Sequence, residues 1–177
     1  MPTLKKGSNP TLSKKEKAMV YLLEKLGGEV AGRKKLVKLM FLIEHYDPVN
    51  HALVKKGLLD NTFIIYQYGV FSFEVMRDYT NLTRRNVLIE RPTSQTQNRI
   101  CINPAKRIPI VGLNEIIKSR VDRIAFDFGQ CSPRDLEILT LEMLRIPIED
   151  KAKYFGEEVG QQIDAMIANK PVSAVSA

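Results

Sequence analysis

Apolar residues recur at helical spacing through most of the chain, most clearly in the stretch that follows residue 33. The apolar positions of this stretch share one helix face: Leu36, Leu39, Met40 and Ile43. Their i, i+3, i+4, i+7 spacing predicts a core helix over residues 33–46, which stops before Pro48 because proline cannot continue a helix. Earlier in the chain, Ser13 and Glu16 form a capping-box pattern that opens a first helix.

Strand-type patterns follow the core helix. Residues 63–68 are predicted to form a strand that ends at Gly69, and Ser72 is placed to cap a third helix. Two β-prone runs, residues 87–91 and 99–103, flank a polar loop and predict a hairpin.

The remaining segments divide into one connection and a helical C-terminal part. Residues 48–62 are predicted to be a loop with one helical turn at 52–56. Later apolar positions predict an amphipathic helix over 113–128, a helix capped by Ser132, and a last helix over about 154–167.

Helix, helix, strand, helix and hairpin is the element order of a winged helix. We therefore expect a mainly α fold with a small antiparallel β-sheet, an α+β arrangement in which a winged-helix-like core precedes a helical C-terminal part. The expected units are a flexible basic tail at 1–12, a winged-helix-like domain at 13–107, a helical C-terminal subdomain at 108–170 packed on it, and a tail at 171–177.

The charge is unevenly placed. The formal net charge is +7, with ten Lys or Arg against four Asp or Glu in residues 1–45, seven against three in 71–107, and eight against eleven in 108–177. This asymmetry favours either a polyanionic partner for one surface or ordinary solvation. No apolar run is long enough to span a bilayer, and the N-terminal residues do not resemble a signal peptide. We therefore expect a cytoplasmic protein that makes no membrane contact.

Three segments carry short motifs in a characteristic order. Residues 35–43 read KLVKLMFLI, residues 66–75 read YQYGVFSFEV, and residues 121–140 end in SPRDLEILT. Together they resemble the KLxKLLYLA-type helix, the aromatic-x-Tyr-Gly-Pro-x-x-x-Glu-Val segment and the YGxxSxxELExLT stretch of the Panacea domain, the family of SocA-like, phage-associated antitoxins. Val70 stands where that family usually has proline, Leu141 where it has histidine, and tryptophan is absent. The resemblance implies a non-catalytic domain that neutralises a toxin or acts as an adaptor or regulator.

The sequence offers no chemistry typical of an enzyme. His45 lies beside Glu44 and Asp47, but adjacent helical residues point in different directions and no His/Cys metal motif is present. Glycines are scattered and form no phosphate-binding loop. We therefore expect no catalytic residue, no metal site and no cofactor.

Nucleic-acid binding is the leading hypothesis. In a winged helix the third helix would enter the major groove, while the second helix and the hairpin would contact phosphates. The candidate nucleic-acid-binding residues are Lys34, Lys35, Lys38, Arg77, Asn81, Arg84, Arg85, Arg91 and Arg99. Glu74 and Asp78 are predicted on the same outward face of the third helix and would repel phosphates. Base reading, plain solvation and protein contact thus all stay open for that helix.

The aromatic residues around the predicted strand form a second candidate surface, for a protein partner: Tyr66, Tyr68, Phe71 and Phe73. Alternation along a strand puts Tyr66 and Tyr68 on one face. We favour packing of these rings in the core over an exposed platform.

The leading function is a DNA-binding transcriptional regulator. The alternatives are an antitoxin or adaptor that binds a toxin or another protein, and a binder of structured RNA or of a ribonucleoprotein particle. The apolar faces of the C-terminal helices either pair two copies as a homodimer or pack within their own domain. The residues concerned are Leu136, Leu139, Ile163 and Met166.

Overall fold

The computed structural model describes residues 11–93 and 98–169, and within them helices dominate over short strands. The α-helices are α1 Lys14–Lys25, α2 Gly32–His45, α3 Phe73–Arg84, α4 Glu115–Phe128, α5 Pro133–Met143 and α6 Val159–Ala168. The strands are β1 Glu29–Val30, β2 Tyr46–Asp47, β3 Ala52–Leu53, β4 Ile64–Tyr66, β5 Gly69–Phe71, β6 Leu88–Pro92 and β7 Asn98–Ile102. Two 3₁₀ segments span Pro104–Lys106 and Ile148–Tyr154. The predicted class, mainly α with small antiparallel sheets, is confirmed.

Some predictions fall on residues that the structure does not describe. The basic tail before residue 11, the tip of the hairpin loop at 94–97 and the tail from residue 170 onward lie outside the described residues. Of the helices in the described ranges, none has the length and apolar character needed to cross a membrane.

The helix starts follow from the capping residues in the sequence. The Ser13 hydroxyl accepts a hydrogen bond from the Glu16 amide, and the Glu16 carboxylate accepts one from the Ser13 amide at 2.9 Å. Ser132 and Asp135 form the same reciprocal box at the start of α5, and Ser72 caps α3. These contacts satisfy amide donors that lack a partner in the first turn of a helix.

The predicted hairpin is present and belongs to a three-stranded sheet. Strands β6 and β7 pair antiparallel, β1 pairs with β7, and the order is β1-β7-β6. One face of the sheet is buried through Val30, Leu88 and Ile100. The connection from α1 through β1 to α2 therefore runs along the edge of the same sheet that the hairpin completes.

Helix α2 lies at the centre of the fold. Helices α3, α4 and α5 and strands β5 and β7 pack around it, and every residue from Lys35 to His45 is buried. The sequence predicted one apolar face, but this helix is covered on all sides because the C-terminal helices close over it. Leu136 and Ile163 are buried within the same core and are not available for pairing two copies.

Three local predictions are wrong. Residues 63–68 are not one strand, because the chain turns after Tyr66 and returns as β5. Gly69 has a φ of +83°, a conformation that glycine adopts without strain, and it lets the return strand begin there. The helical turn predicted at 52–56 is replaced by β3, which pairs with β2. The predicted last helix is divided into a 3₁₀ segment and α6.

A buried carboxylate holds the loop that leads into β4. Glu44 is fully buried, and it accepts hydrogen bonds from the amides of Leu59, Asp60 and Asn61 and from the Asn61 side chain, at 2.8–3.3 Å. A Cβ on Gly57 would lie 1.8 Å from a Glu44 carboxylate oxygen, so only glycine fits there. Glu44 thus holds the loop immediately before the β4–β5 hairpin.

Candidate nucleic-acid interface

The exposed face of α3 carries two arginines and an asparagine. Arg77, Asn81 and Arg84 follow i, i+4, i+7 spacing, so they share one side of the helix. Arg77 and Arg84 are exposed and Asn81 is partly so. Within residues 11–93 and 98–169, neither arginine has an ion-pair partner. We call these three residues the α3 stripe.

The acidic residues of α3 lie beside that stripe and have contacts of their own. Glu74 accepts a hydrogen bond from the Thr62 amide and lies 3.6 Å from Lys15. Asp78 is buried, and burial raises the pKa of its carboxyl group. The prediction of an outward position is therefore wrong for Asp78. Glu74 is partly exposed on the side of Asn81, but its carboxylate is held by Thr62 and Lys15.

Arg85 belongs to this inward side as well. Its guanidinium lies 3.2 Å from Glu16, whose side chain is only 7% exposed. Arg85 thus joins the end of α3 to the first turn of α1. We correct its assignment from nucleic-acid contact to helix packing, since its charge is already neutralised by a buried carboxylate.

Two lysines of α2 are also unavailable to phosphates. The Lys35 ammonium donates a hydrogen bond of 2.5 Å to the Gly129 carbonyl, at the C-terminus of α4, where a cation is favoured by the helix dipole. Lys38 is 2% exposed, and burial lowers the pKa of its ammonium to about 8 while the nearby Glu137 carboxylate opposes that shift. Both were predicted to contact nucleic acid, and their burial contradicts this.

Lys34 remains at the surface. It lies with Arg33, Glu90 and Asn98 on a cleft of about 380 Å³ between the start of α2 and the β6–β7 hairpin. Its ammonium is 3.4 Å from the centroid of the Tyr68 ring, a cation–π contact. Lys34 therefore connects the basic surface with the aromatic β4–β5 hairpin.

The arginines of the β6–β7 hairpin form a separate group. Arg91 and Arg99 are cross-strand neighbours on the face of the sheet opposite to Leu88 and Ile100. Arg91 is exposed, whereas Arg99 forms an ion pair with Glu29. Arg91 is the freer of the two cations for contact with a phosphate.

A carboxylate holds α3 against this hairpin. Glu90 in β6 accepts hydrogen bonds from the Tyr79 hydroxyl of α3, from Arg33 of α2 at 2.8 Å and from Asn98 of β7 at 3.0 Å. The bond from Tyr79 is the main cause that lowers the pKa of Glu90. One side chain thus links α3, the hairpin and the start of α2. No sequence pattern predicted this link.

The aromatic residues are at the surface and not in the core. Tyr66, Tyr68 and Phe73 are 48%, 46% and 67% exposed, so the prediction of core packing is wrong for them. Phe71, partly buried, lies between its neighbours, 5.7 Å from Tyr66 and 5.0 Å from Phe73 by ring centroid. Phe155, which the sequence did not single out, extends the series at 6.2 Å from Tyr66.

The two histidines form local hydrogen bonds, His51 with the Tyr46 hydroxyl at 2.9 Å. The ring of His45 is buried and hydrogen-bonds through Nδ1 to the Val54 carbonyl at 2.9 Å. Burial lowers the pKa of this imidazole. Across the ranges that the structure describes, no three His, Cys, Asp or Glu side chains come together as metal ligands would.

Comparison of the chain with protein-family models, curated proteins and solved structures found no match.

Proposed function

We propose that this protein is a cytoplasmic, non-enzymatic DNA-binding regulator whose α3 enters the major groove in the manner of a winged helix. Arg77 and Asn81 would read base edges, since arginine and asparagine pair bidentately with guanine and adenine. Arg84, Lys34 and Arg91 would contact phosphates, which supply most of the affinity and make it depend on salt.

The observation that carries the proposal is the separation of charge on α3. Arg77 and Arg84 are exposed and have no ion-pair partner in the described chain, while Glu74 and Arg85 pair with α1 and Asp78 is buried. The acidic residues lie on the neighbouring side of the helix, where Glu74 is held by Thr62 and Lys15 and Asp78 is buried, so they leave the two arginines free to meet a ligand. This arrangement supports a polyanionic ligand in contact with α3.

The topology gives a second line of support. The helices α1, α2 and α3 pack against a three-stranded sheet of order β1-β7-β6. This arrangement is consistent with a winged helix. One departure is the connection between α2 and α3, which takes up residues 46–72 in place of a turn of three or four residues. The inserted β4–β5 hairpin stands at the N-terminal end of α3, the end that contacts bases in helix-turn-helix proteins.

Protein binding is the second candidate function, and the exposure of Tyr66, Tyr68 and Phe73 favours it. Contiguous exposed apolar surface is a common mark of a partner site. The resemblance to the Panacea domain points the same way, toward a toxin or another protein as the partner.

The test is a titration of fluorescently labelled duplex DNA, and separately of structured RNA of equal length, between 50 and 200 mM salt. Wild-type protein should bind duplex DNA in the micromolar range or tighter, and more weakly as salt rises. Replacing both Arg77 and Arg84 by alanine should weaken binding roughly tenfold or more and reduce the salt slope by about 2.

The matched control removes the same charge elsewhere. Lys56 and Arg145 are exposed and have no ion-pair partner in the described chain, so Lys56→Ala/Arg145→Ala should leave the salt slope unchanged. Failure to bind duplex DNA at 50 mM salt would contradict the proposal. Tighter binding to structured RNA would replace DNA by RNA as the ligand.

A further inference from the structure

We infer that the row of aromatic rings beside α3 stacks unpaired bases, so that the preferred ligand is a duplex with a single-stranded extension. We call Phe155, Tyr66, Phe71 and Phe73 the aromatic row. The inference rests on the proposed function, because the duplex part would be held by the α3 stripe. It names the class of nucleic acid that this surface would select.

The aromatic row is continuous and open. Its rings follow one another at centroid separations of 6.2, 5.7 and 5.0 Å, and three of the four are about half exposed or more. Exposed aromatic rings that follow a basic surface are the usual means of holding single strands, because every base has a π-face. The rings are tilted by 40–41° from Phe155 to Phe71, and Phe73 is nearly perpendicular to Phe71. The three exposed rings therefore offer separate places for two or three bases.

The aromatic row is also held rigidly. Strand β4 is tied on its outer side by hydrogen bonds between residues 63–65 and residues 156–159, at 2.9–3.0 Å. Strand β5 packs against α5, where a Cβ on Gly69 would meet the Glu137 side chain at 3.1 Å. A platform that is ordered before binding loses little conformational freedom when a base stacks on it.

The charges give the bound strand a direction. Phe73 is one helical turn before Arg77, so the aromatic row runs directly into the α3 stripe. Lys34 stands over Tyr68 at the same hairpin. At the other end, Glu157 and Glu158 follow Phe155 and would repel phosphates. The duplex, which has the higher density of phosphates, therefore lies at the Phe73 end, and the single strand extends from there along the aromatic row as far as these carboxylates allow.

Bases suit this surface better than a protein does. Lysine is depleted at the centre of protein interfaces, whereas the exposed Lys34 lies over Tyr68 beside the aromatic row. Arg77 is exposed at the end of the row. Phosphates would neutralise these cations while the bases cover the rings. A protein partner is thus the outcome to be excluded by experiment.

The experiment compares two labelled DNA ligands by fluorescence anisotropy: a blunt duplex and the same duplex with a six-nucleotide single-stranded tail. Wild-type protein should bind the tailed duplex about tenfold or more tightly than the blunt one. Tyr66→Ala/Phe73→Ala should abolish this difference and leave affinity for the blunt duplex unchanged. Arg77→Ala/Arg84→Ala should weaken binding to both ligands.

Two controls separate stacking from folding. Tyr66→Phe keeps the ring and should keep the preference for the tail. Phe126 is an 83% exposed aromatic residue on α4, so Phe126→Ala should have no effect on either ligand. Thermal melting of each variant, followed by circular dichroism, checks that Tyr66→Ala/Phe73→Ala remains folded at the assay temperature.

Each outcome decides the inference. Equal affinity for the tailed and the blunt duplex would overturn the inference of base stacking, but not the proposal of duplex binding. A protein partner would then be the remaining candidate for the aromatic row. A preference that survives in Tyr66→Ala/Phe73→Ala would also overturn it. Binding of the tail with none of the blunt duplex would support base stacking and contradict duplex recognition by α3. Binding of neither ligand would contradict both proposals.

Discussion

The guanidinium of Arg85 lies 3.2 Å from the carboxylate of Glu16, and this ion pair joins the last turn of α3 to the first turn of α1. Glu16 also closes the capping box of α1 through Ser13. Arg84, the neighbour of Arg85 in sequence, points to solvent without an ion-pair partner in the described residues. Two adjacent arginines on one helix thus have different roles, and the proposed function depends on this division.

Arg85→Ala is expected to destabilise the protein by about 2 kcal/mol, because it leaves a largely buried carboxylate without its cation. Urea unfolding followed by circular dichroism measures this change. Arg84→Ala should leave the free energy of unfolding within about 0.5 kcal/mol of wild type, since exposed substitutions usually do. DNA titrations should show the reverse, with affinity lowered by Arg84→Ala and unchanged by Arg85→Ala in the folded protein. Equal losses of affinity in the two variants would contradict the assignment.

Glu44→Ala is expected to destabilise the protein by roughly 3 kcal/mol or more. The substitution removes the acceptor for the amides of Leu59, Asp60 and Asn61 and for the Asn61 side chain, and buried donors without partners are costly. Glu142 on α5 is exposed and has no ion-pair partner in the described chain, so Glu142→Ala is the matched control, with little change expected. Unfolding curves that coincide for the two variants would show that the loop does not need Glu44.

Lys38→Met is expected to stabilise the protein at pH 7 by roughly 2 kcal/mol, because the folded state then no longer buries an ammonium. The pKa of Lys38 is about 8 when folded and near 10.5 when unfolded. Between these values the unfolded chain binds more protons, so the wild type gains stability as the pH rises from about 8 to 10.5. The gain of Lys38→Met over wild type should therefore shrink across this range.

The measurement is urea unfolding of both proteins at pH 7, 8, 9 and 10. Taking the difference between them removes the effect of other groups that titrate at high pH. A constant difference would contradict a depressed pKa for Lys38. DNA affinity at pH 7 should be the same for both proteins, because Lys38 is buried and cannot reach a phosphate.

Local signals in the sequence predicted the helix starts well. The capping boxes at Ser13 and Ser132 and the cap at Ser72 depend on residues three positions apart, so the sequence contains both partners. The β6–β7 hairpin was predicted because its two β-prone runs and the polar loop between them follow one another in the sequence. The turn after Tyr66 was missed because the alternation of the strand continues through it, although Gly69 was present as a signal.

The exposure and the ion-pair partner of each candidate side chain were harder to predict, since they depend on distant parts of the chain. Lys35 and Lys38 were read as surface residues, but α4 and α5 cover their side of α2. Arg85 was placed on the outward face of α3 and Arg99 on the hairpin without a partner, because their partners Glu16 and Glu29 lie some 70 residues earlier. Helical spacing gives the side of a helix on which a residue lies, and not what covers that side.

The position of α2 has a consequence for how the chain can be divided. Its neighbours include α5, nearly 100 residues further along, so its burial is complete only when the C-terminal helices are in place. A fragment ending at residue 107 would leave Leu36 and its neighbours exposed on the side that α4 and α5 cover. The basic N-terminal part and the more acidic C-terminal part of this chain would therefore unfold together as one cooperative unit, because both pack on the core helix α2.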